Sequence, residues 1–189
     1  MKRSVERARA DKEPYLIWNA FVDLLAMEDY DALSPLQRKA HLVFWYQDQV
    51  HNGGHAQYFE NRGLERLAET VKALTDLGLS CHASVLGRAT AALSASGPEA
   101  DWEEVLDESF DDALDKAFYN CTPTVNEALE RHLAAHTAEY VELTAGPSSD
   151  RFTTGTEDGG LETGARGGLR GLASGFMPGR IRTSVKTWG

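Results

Sequence analysis

The sequence has little cysteine and no long apolar run, and each shortage argues against a class of protein. Its two cysteines, Cys81 and Cys121, are far apart and in no metal-binding spacing, so we expect buried free thiols in a reducing compartment rather than a disulfide. No run approaches the ~18 apolar residues that span a bilayer. The charged stretch Met1 to Lys12 is not followed by an apolar segment of the signal-peptide type. We therefore expect a soluble, cytoplasmic protein that makes no membrane contact.

Positive charge is scarce as well. The chain holds 29 acidic and 19 basic residues, for a formal net charge of −10. Residues 1–143 hold 25 acids and 13 bases, whereas residues 144–189 hold 4 and 6. An acidic domain repels nucleic acid and lipid head groups, so its natural partners are cations or basic protein surfaces. The alternative, that the charge only keeps a small protein soluble, stays open.

Strand patterns are missing too, because no segment sustains the alternation of apolar and polar residues that a strand requires. Helix signals are frequent instead, with capping boxes at Ser34 and Thr124. The helix after Ser34 is apolar nearly all round, which predicts a central, buried helix that ends at Asn52-Gly53-Gly54. The fold expected for residues 1–143 is all-α, a compact single-domain bundle of about six or seven helices.

The last part of the chain differs in character. Eleven of the 17 glycines lie between Gly146 and Gly189, with few large apolar residues among them. Such a composition buries too little surface to offset the entropy cost of ordering. We therefore predict that residues 144–189 form a disordered tail outside the core. Whether this tail is a functional linker or an artefact of a mispredicted 3′ end stays open.

Two histidines flank the predicted end of the central helix, in the order His51-Asn52-Gly53-Gly54-His55. Histidines four residues apart can bind zinc when one helix presents both. Here Gly53 and Gly54 interrupt the helix between them, so we expect a helix–turn–helix corner and no bound metal or other cofactor.

The longer string around this corner resembles the signature of the DNA-mimic protein family, a bacterial domain otherwise of unknown function. That signature is an Asn-Gly-Gly corner followed by an aromatic, Gln, an aromatic pair, Asn and Gly. The matching positions are Asn52, Gly53, Gly54, Gln57, Tyr58, Phe59, Asn61 and Gly63. His55 departs from the pattern, since an aromatic hydrophobe is usual there. The order of helices over roughly residues 15–143 also fits the family, and the tail does not.

The residue types of the motif indicate a structural role. The glycines permit a chain reversal, and Asn52 and Asn61 can bond backbone groups left unpaired at helix ends. Gln57 could satisfy a buried polar group or face a ligand. A structural role is favoured for Asn52 and Gln57, and a ligand-binding corner remains the alternative.

A predicted acidic helix, from Trp102 to Tyr119 with Asp101 as its cap, carries the candidate partner-binding surface. Its apolar side comprises Trp102, Leu106, Phe110, Ala113 and Ala117. Its acidic side comprises Glu104, Glu108, Asp111 and Asp115. These carboxylates recur every ~5–6 Å, broadly like the phosphates along a DNA strand. Residues 99–115, here called the acidic segment, contain nine acids and no Lys or Arg. An ordinary solvated helix face is the alternative interpretation.

No catalytic constellation emerges, because no acid, base and nucleophile can be named together. We therefore expect a binding protein rather than an enzyme. The resemblance implies a DNA mimic whose acidic row occupies a basic partner, such as a DNA-binding transcription factor, without contacting nucleic acid itself. Two alternatives stay open: a small-ligand-binding protein or enzyme that uses the His51–Gln57 corner, and an immunity-type protein that neutralises a basic toxin.

Overall fold

A computed structural model describes residues 1–96 and 113–146, and helices account for most of them. All of these residues belong to one unit, Met1–Ser149. The elements, in chain order, are β1 (Arg3–Glu6), α1 (Arg7–Ala10), α2 (Tyr15–Met27), a 3-10 turn (Tyr30–Ala32), α3 (Pro35–Arg62), α4 (Leu67–Asp76), α5 (Ser80–Ser96), α6 (Ala113–Tyr119), α7 (Val125–Tyr140) and β2 (Val141–Thr144). The described part thus contains seven α-helices, and the predicted all-α class is confirmed.

Two of the helices begin where their capping boxes predict. Ser34 caps α3, since its Oγ accepts from the backbone N of Gln37 at 3.3 Å while Gln37 Oε1 accepts from the Ser34 backbone at 3.0 Å. Thr124 and Glu127 form the same reciprocal pair at the start of α7. Each box satisfies two backbone N–H groups that the first helical turn leaves unpaired.

The central helix α3 bends at the paired glycines. Gly53 is extended (φ −169°), and Gly54 adopts φ +70°, in the left-handed region that favours glycine. The helix resumes at once and continues to Arg62, so the expected break is a kink within one element rather than an end. The kink divides α3 into two arms that both contribute to the core.

The core forms around α3, because side chains from both of its arms are buried. Helices α2, α4, α5 and α7 pack around it together with α6. The buried aromatic side chains of this cluster are Phe21, Tyr46, Tyr58, Phe59, Phe118 and Tyr140. Tyr46 is fully buried and meets the rings of both Tyr58 and Phe118 edge-on. The acidic segment's C-terminal end therefore joins the core through Phe118.

Two short strands were not expected. β1 and β2 pair in parallel, with Arg3 opposite Val141 and Glu6 opposite Thr144. Buried Gln37 bridges the start of this pair, since its Nε2 donates to the carbonyls of Met1 (2.6 Å) and Glu139 (2.8 Å). Four residues are too few to establish an alternating pattern, so these strands could not be predicted from local sequence. β2 also extends one residue into the predicted tail, whose residues 147–189 lie outside the described part.

The prediction of two free thiols is wrong. Cys81 in α5 and Cys121 after α6 form a disulfide, with Cα atoms 5.6 Å apart. The fold brings together two helices that are distant in sequence, and nothing local to either cysteine reveals this. The inference of a reducing compartment therefore loses its premise. Across residues 1–96 and 113–146, no helix combines the length and hydropathy that crossing a bilayer requires.

Candidate functional site at the glycine corner

The site is built around the kink in α3, residues 51–57, here called the glycine corner. Asn52 closes the first arm, because its Nδ2 donates to the backbone carbonyl of Asp48 at 2.9 Å. A Cβ on Gly53 would collide with the side chain of Gln57, and a Cβ on Gly54 would collide with the carboxylate of Asp115. Both glycines therefore provide space for a neighbouring polar side chain, and Gly54 also provides the left-handed conformation.

His55 is the buried centre of the corner. Its Nε2 lies 2.9 Å from the hydroxyl of Tyr46, and its Nδ1 lies 2.6 Å from Oδ1 of Asp115. Its backbone N also donates to the same Asp115 oxygen, at 3.2 Å. Burial raises the pKa of Tyr46 well above its usual value, and nearby Tyr58 and Asp115 add to the effect. The Asp115 carboxylate can only accept, so Nδ1 of His55 carries a proton. In the neutral imidazole Nε2 is then the acceptor, and Tyr46, which keeps its own proton, donates to it.

Asp115 is oriented inward rather than along a solvent-facing row. Its side chain is 29% exposed, and one oxygen takes both bonds from His55. The predicted apolar side of this helix is also corrected, since Ala113 is exposed whereas Leu114 and Phe118 are buried. Burying a leucine and a phenylalanine removes more apolar surface from water than burying two alanines. The helix is therefore rotated by about one residue from the predicted orientation, or roughly 100°.

Two amide side chains of the motif, Gln57 and Asn61, bond to a third amide, Gln49, which precedes the motif on α3. Buried Gln49 accepts from Gln57 Nε2 at 3.2 Å and from Asn61 Nδ2 at 2.6 Å through the same Oε1. Its own Nε2 donates to Asp48 at 3.0 Å. Sequence reasoning missed Gln49 and Tyr46, although both lie on α3 within three turns of the corner. The polar groups of Asn52, Gln57 and Asn61 thus have partners within the protein, which supports the structural interpretation of the motif.

The two corner histidines face different surroundings. His51 is exposed and stacks on the ring of Tyr119, with centroids 5.6 Å apart and planes inclined by 11°. His55 is only 2% exposed and has both ring nitrogens engaged. Within residues 1–96 and 113–146, no group of three or more His, Cys, Asp or Glu side chains is placed to hold a metal ion.

Most of the predicted acidic row lies outside the described residues, namely Glu104, Glu108 and Asp111, as does the start of its helix at Asp101 and Trp102. The described α6 holds the C-terminal end of the segment against the core in three ways. Leu114 and Phe118 are buried, Asp115 bonds His55, and Cys121 is bonded to Cys81. Helix α6 and the glycine corner are therefore joined directly through Asp115 and His55.

Comparison with known proteins identifies one family. Residues 31–136 match the family described as DMP19-like protein. No curated protein and no solved structure matches the chain significantly. The match corrects the family assignment made from the motif, which named a DNA-mimic family over roughly residues 15–143. The matched region starts later, in the 3-10 turn, and leaves out α2 and both strands. Since it covers more than half of the chain, this protein belongs to the DMP19-like protein family.

Proposed function

We propose that this protein binds a basic protein partner and acts as a DNA mimic, occupying the surface with which that partner binds DNA. The observation that carries the proposal is the acidic segment, with nine acids and no Lys or Arg over residues 99–115. A basic groove shaped for phosphates attracts closely spaced carboxylates by the same Coulombic force. Membership of the DMP19-like family supports the proposal, because this family match suggests a DNA-mimic type of protein.

The overall charge supports the same class of partner. With 25 acids against 13 bases, residues 1–143 repel nucleic acid, so direct binding to DNA or RNA is disfavoured. A DNA-binding transcription factor is the partner class that this charge fits. A basic toxin would be attracted in the same way, and the experiment below separates the two, because DNA competes only in the first case.

The contacting residues we propose are Glu104, Glu108 and Asp111. Asp115 is left out of this set because its carboxylate is bonded to His55. A ligand site at the glycine corner is not favoured by any specific contact, since Asn52, Gln57 and Asn61 bond within the protein.

The test begins with affinity capture from the native host at low and high salt, followed by competition with DNA. The captured protein is bound to its labelled DNA and titrated with wild-type protein, with a triple variant (Glu104→Gln, Glu108→Gln, Asp111→Asn), and with a matched control. The control removes three other acids, Glu65→Gln, Glu130→Gln and Glu139→Gln, which are exposed residues of the described part. Both triple variants lose the same formal charge.

We expect wild type and control to displace the DNA and the triple variant to fail. A single replacement should matter much less, since an exposed charge contributes about 1 kcal/mol or below. If the partner binds DNA and this protein at once, or binds both triple variants equally well, the proposal is wrong.

The partner class also implies a location. Transcription factors act in the cytoplasm of bacteria, and we propose that this protein does too. Reducing conditions there disfavour disulfides, so the redox state of Cys81 and Cys121 in cells tests this location. Thiol trapping in intact cells, followed by mass spectrometry of peptides containing Cys81 and Cys121, measures the oxidised fraction. A fully oxidised protein that fractionates outside the cytoplasm would contradict this location.

A further inference from the structure

We infer that Asp115 is a positioning residue: through His55 it fixes the end of the acidic segment to the glycine corner, rather than contacting the partner itself. The role of this fixation in partner binding rests on the function proposed above. The structural part stands on its own, because it concerns contacts inside one chain.

The geometry of the Asp115–His55 pair uses both oxygens of the carboxylate. One Asp115 oxygen accepts from both the backbone N and the Nδ1 of His55, at 3.2 and 2.6 Å. The other oxygen lies against Gly54, where any Cβ would collide with it. The carboxylate therefore occupies the N-terminal end of the second arm of α3, where exposed N–H groups and the helix dipole favour an anion. An oxygen used in this way is poorly placed to bind a second protein.

His55 is itself held in place by contacts with the core. Its ring is 2% exposed, and Tyr46, which is fully buried, donates to its second nitrogen. The chain Tyr46–His55–Asp115 therefore runs from the middle of the core to α6. Asp115 lies in α6, at the end of the acidic segment, so this chain of hydrogen bonds fixes the position of α6 relative to the glycine corner.

The two roles for Asp115 predict different responses to two substitutions. Asp115→Asn removes the charge but keeps Oδ1, which can accept both bonds from His55. Asp115→Ala removes both the charge and the acceptor. If Asp115 positions the segment, asparagine rescues what alanine loses. If Asp115 contacts a basic partner through its charge, the two variants lose the same affinity.

Hydrogen exchange on the full chain tests the structural part without any partner. We expect Asp115→Ala to speed amide exchange in peptides from α6 and from the second arm of α3 by about tenfold or more, the effect of losing a bond to a charged group. Asp115→Asn should stay within about threefold of wild type. His55→Phe, which keeps a buried aromatic ring but removes the Nδ1 donor, should fall between them and serves as the second variant if Asp115→Ala does not fold. Exposed Glu130→Gln is the control for charge and should change nothing in this region.

The DNA competition assay with the captured partner tests the functional part, and we expect Asp115→Asn to compete like wild type while Asp115→Ala competes poorly. Equal exchange over α6 and the second arm of α3 in wild type, Asp115→Ala and His55→Phe would overturn the positioning role, as would equal losses by the alanine and asparagine variants. If the exchange results are as expected but no partner competes with DNA, the positioning role holds and the proposed function fails. The two failures are thus distinguishable.

Discussion

The hydroxyl of Tyr46 lies 2.9 Å from Nε2 of His55, so a residue in the first arm of α3 supports one in the second arm across the kink. Tyr46→Phe removes only this donor and leaves a buried acceptor without a partner. We expect a loss of about 1–3 kcal/mol in the free energy of unfolding, measured by urea denaturation.

Tyr58→Phe is the matched control. Its hydroxyl donates to Thr70 Oγ1 at 3.3 Å, and that threonine keeps a second bond to the Arg66 carbonyl. Removing the Tyr58 hydroxyl therefore leaves no group wholly unpaired. If Tyr46→Phe costs no more than Tyr58→Phe, the Tyr46–His55 bond does not support the corner as described.

Comparing alanine substitutions at Gly54 and Gly63 separates the cost of the backbone conformation from the cost of a steric clash. Both have positive φ, at +70° and +59°, but a Cβ on Gly63 meets nothing within 4 Å, whereas one on Gly54 collides with Asp115. Gly63→Ala should cost about 1–2 kcal/mol for the left-handed backbone alone. Gly54→Ala should cost about 1–3 kcal/mol more, because the carboxylate must move. Equal losses in thermal or urea unfolding would show that Asp115 is not held close to Gly54.

The disulfide should contribute measurably to stability. Cys81 and Cys121 are separated by 40 residues, and closing a loop of that size restricts the unfolded chain by about 4 kcal/mol. Guanidinium unfolding of wild type with and without dithiothreitol should show a difference of this order. The double variant Cys81→Ala, Cys121→Ala is expected to have the same stability as reduced wild type, with or without the reductant. A wild type whose midpoint is the same in both buffers would argue against the bond.

Acid should destabilise the protein through its buried histidines. Burial lowers the pKa of His82 from 6.5 to about 4, so the folded protein keeps this ring neutral where the unfolded chain protonates it. Stability is therefore lost as the pH falls from about 6.5 to about 4, and this contribution levels off below that. The pKa values of His41 and His132 are lowered to about 4 as well, mainly by burial.

His82→Leu isolates one part of this effect. Its Nδ1 is buried and makes no hydrogen bond to the described residues, so the leucine variant should be at least as stable at neutral pH. Between pH 7 and pH 4.5 it should lose less stability than wild type, as measured by urea unfolding. Exposed His136→Gln should follow wild type. A parallel decline of wild type and His82→Leu would exclude His82 as a source of the acid sensitivity.

Local signals in the sequence predicted local structure well. The capping boxes at Ser34 and Thr124 depend on residues three apart, and the kink depends on adjacent glycines, so each can be read from a short window. The helical class follows from many such windows together. The all-α class therefore follows from signals whose residues are close in sequence.

The features that were missed depend on residues far apart. The Cys81–Cys121 bond and the β1–β2 pair require the whole chain to fold before their partners meet. The orientation of Asp115 was missed for a related reason, since a helical wheel shows which residues share a side but not which side faces His55. Only the packing of Leu114 and Phe118 determines that rotation.

The strand pair also has a consequence for the order of folding. β1 and β2 lie near opposite ends of the described chain, with Arg3 beside Val141, so their pairing closes a loop that spans nearly all of the described residues. Such a closure has a high entropic cost and gains little until the helices have already brought the ends together. We therefore expect the pair to form after the rate-limiting barrier. Weakening it should hasten the opening of the native protein while leaving the speed of folding nearly unchanged.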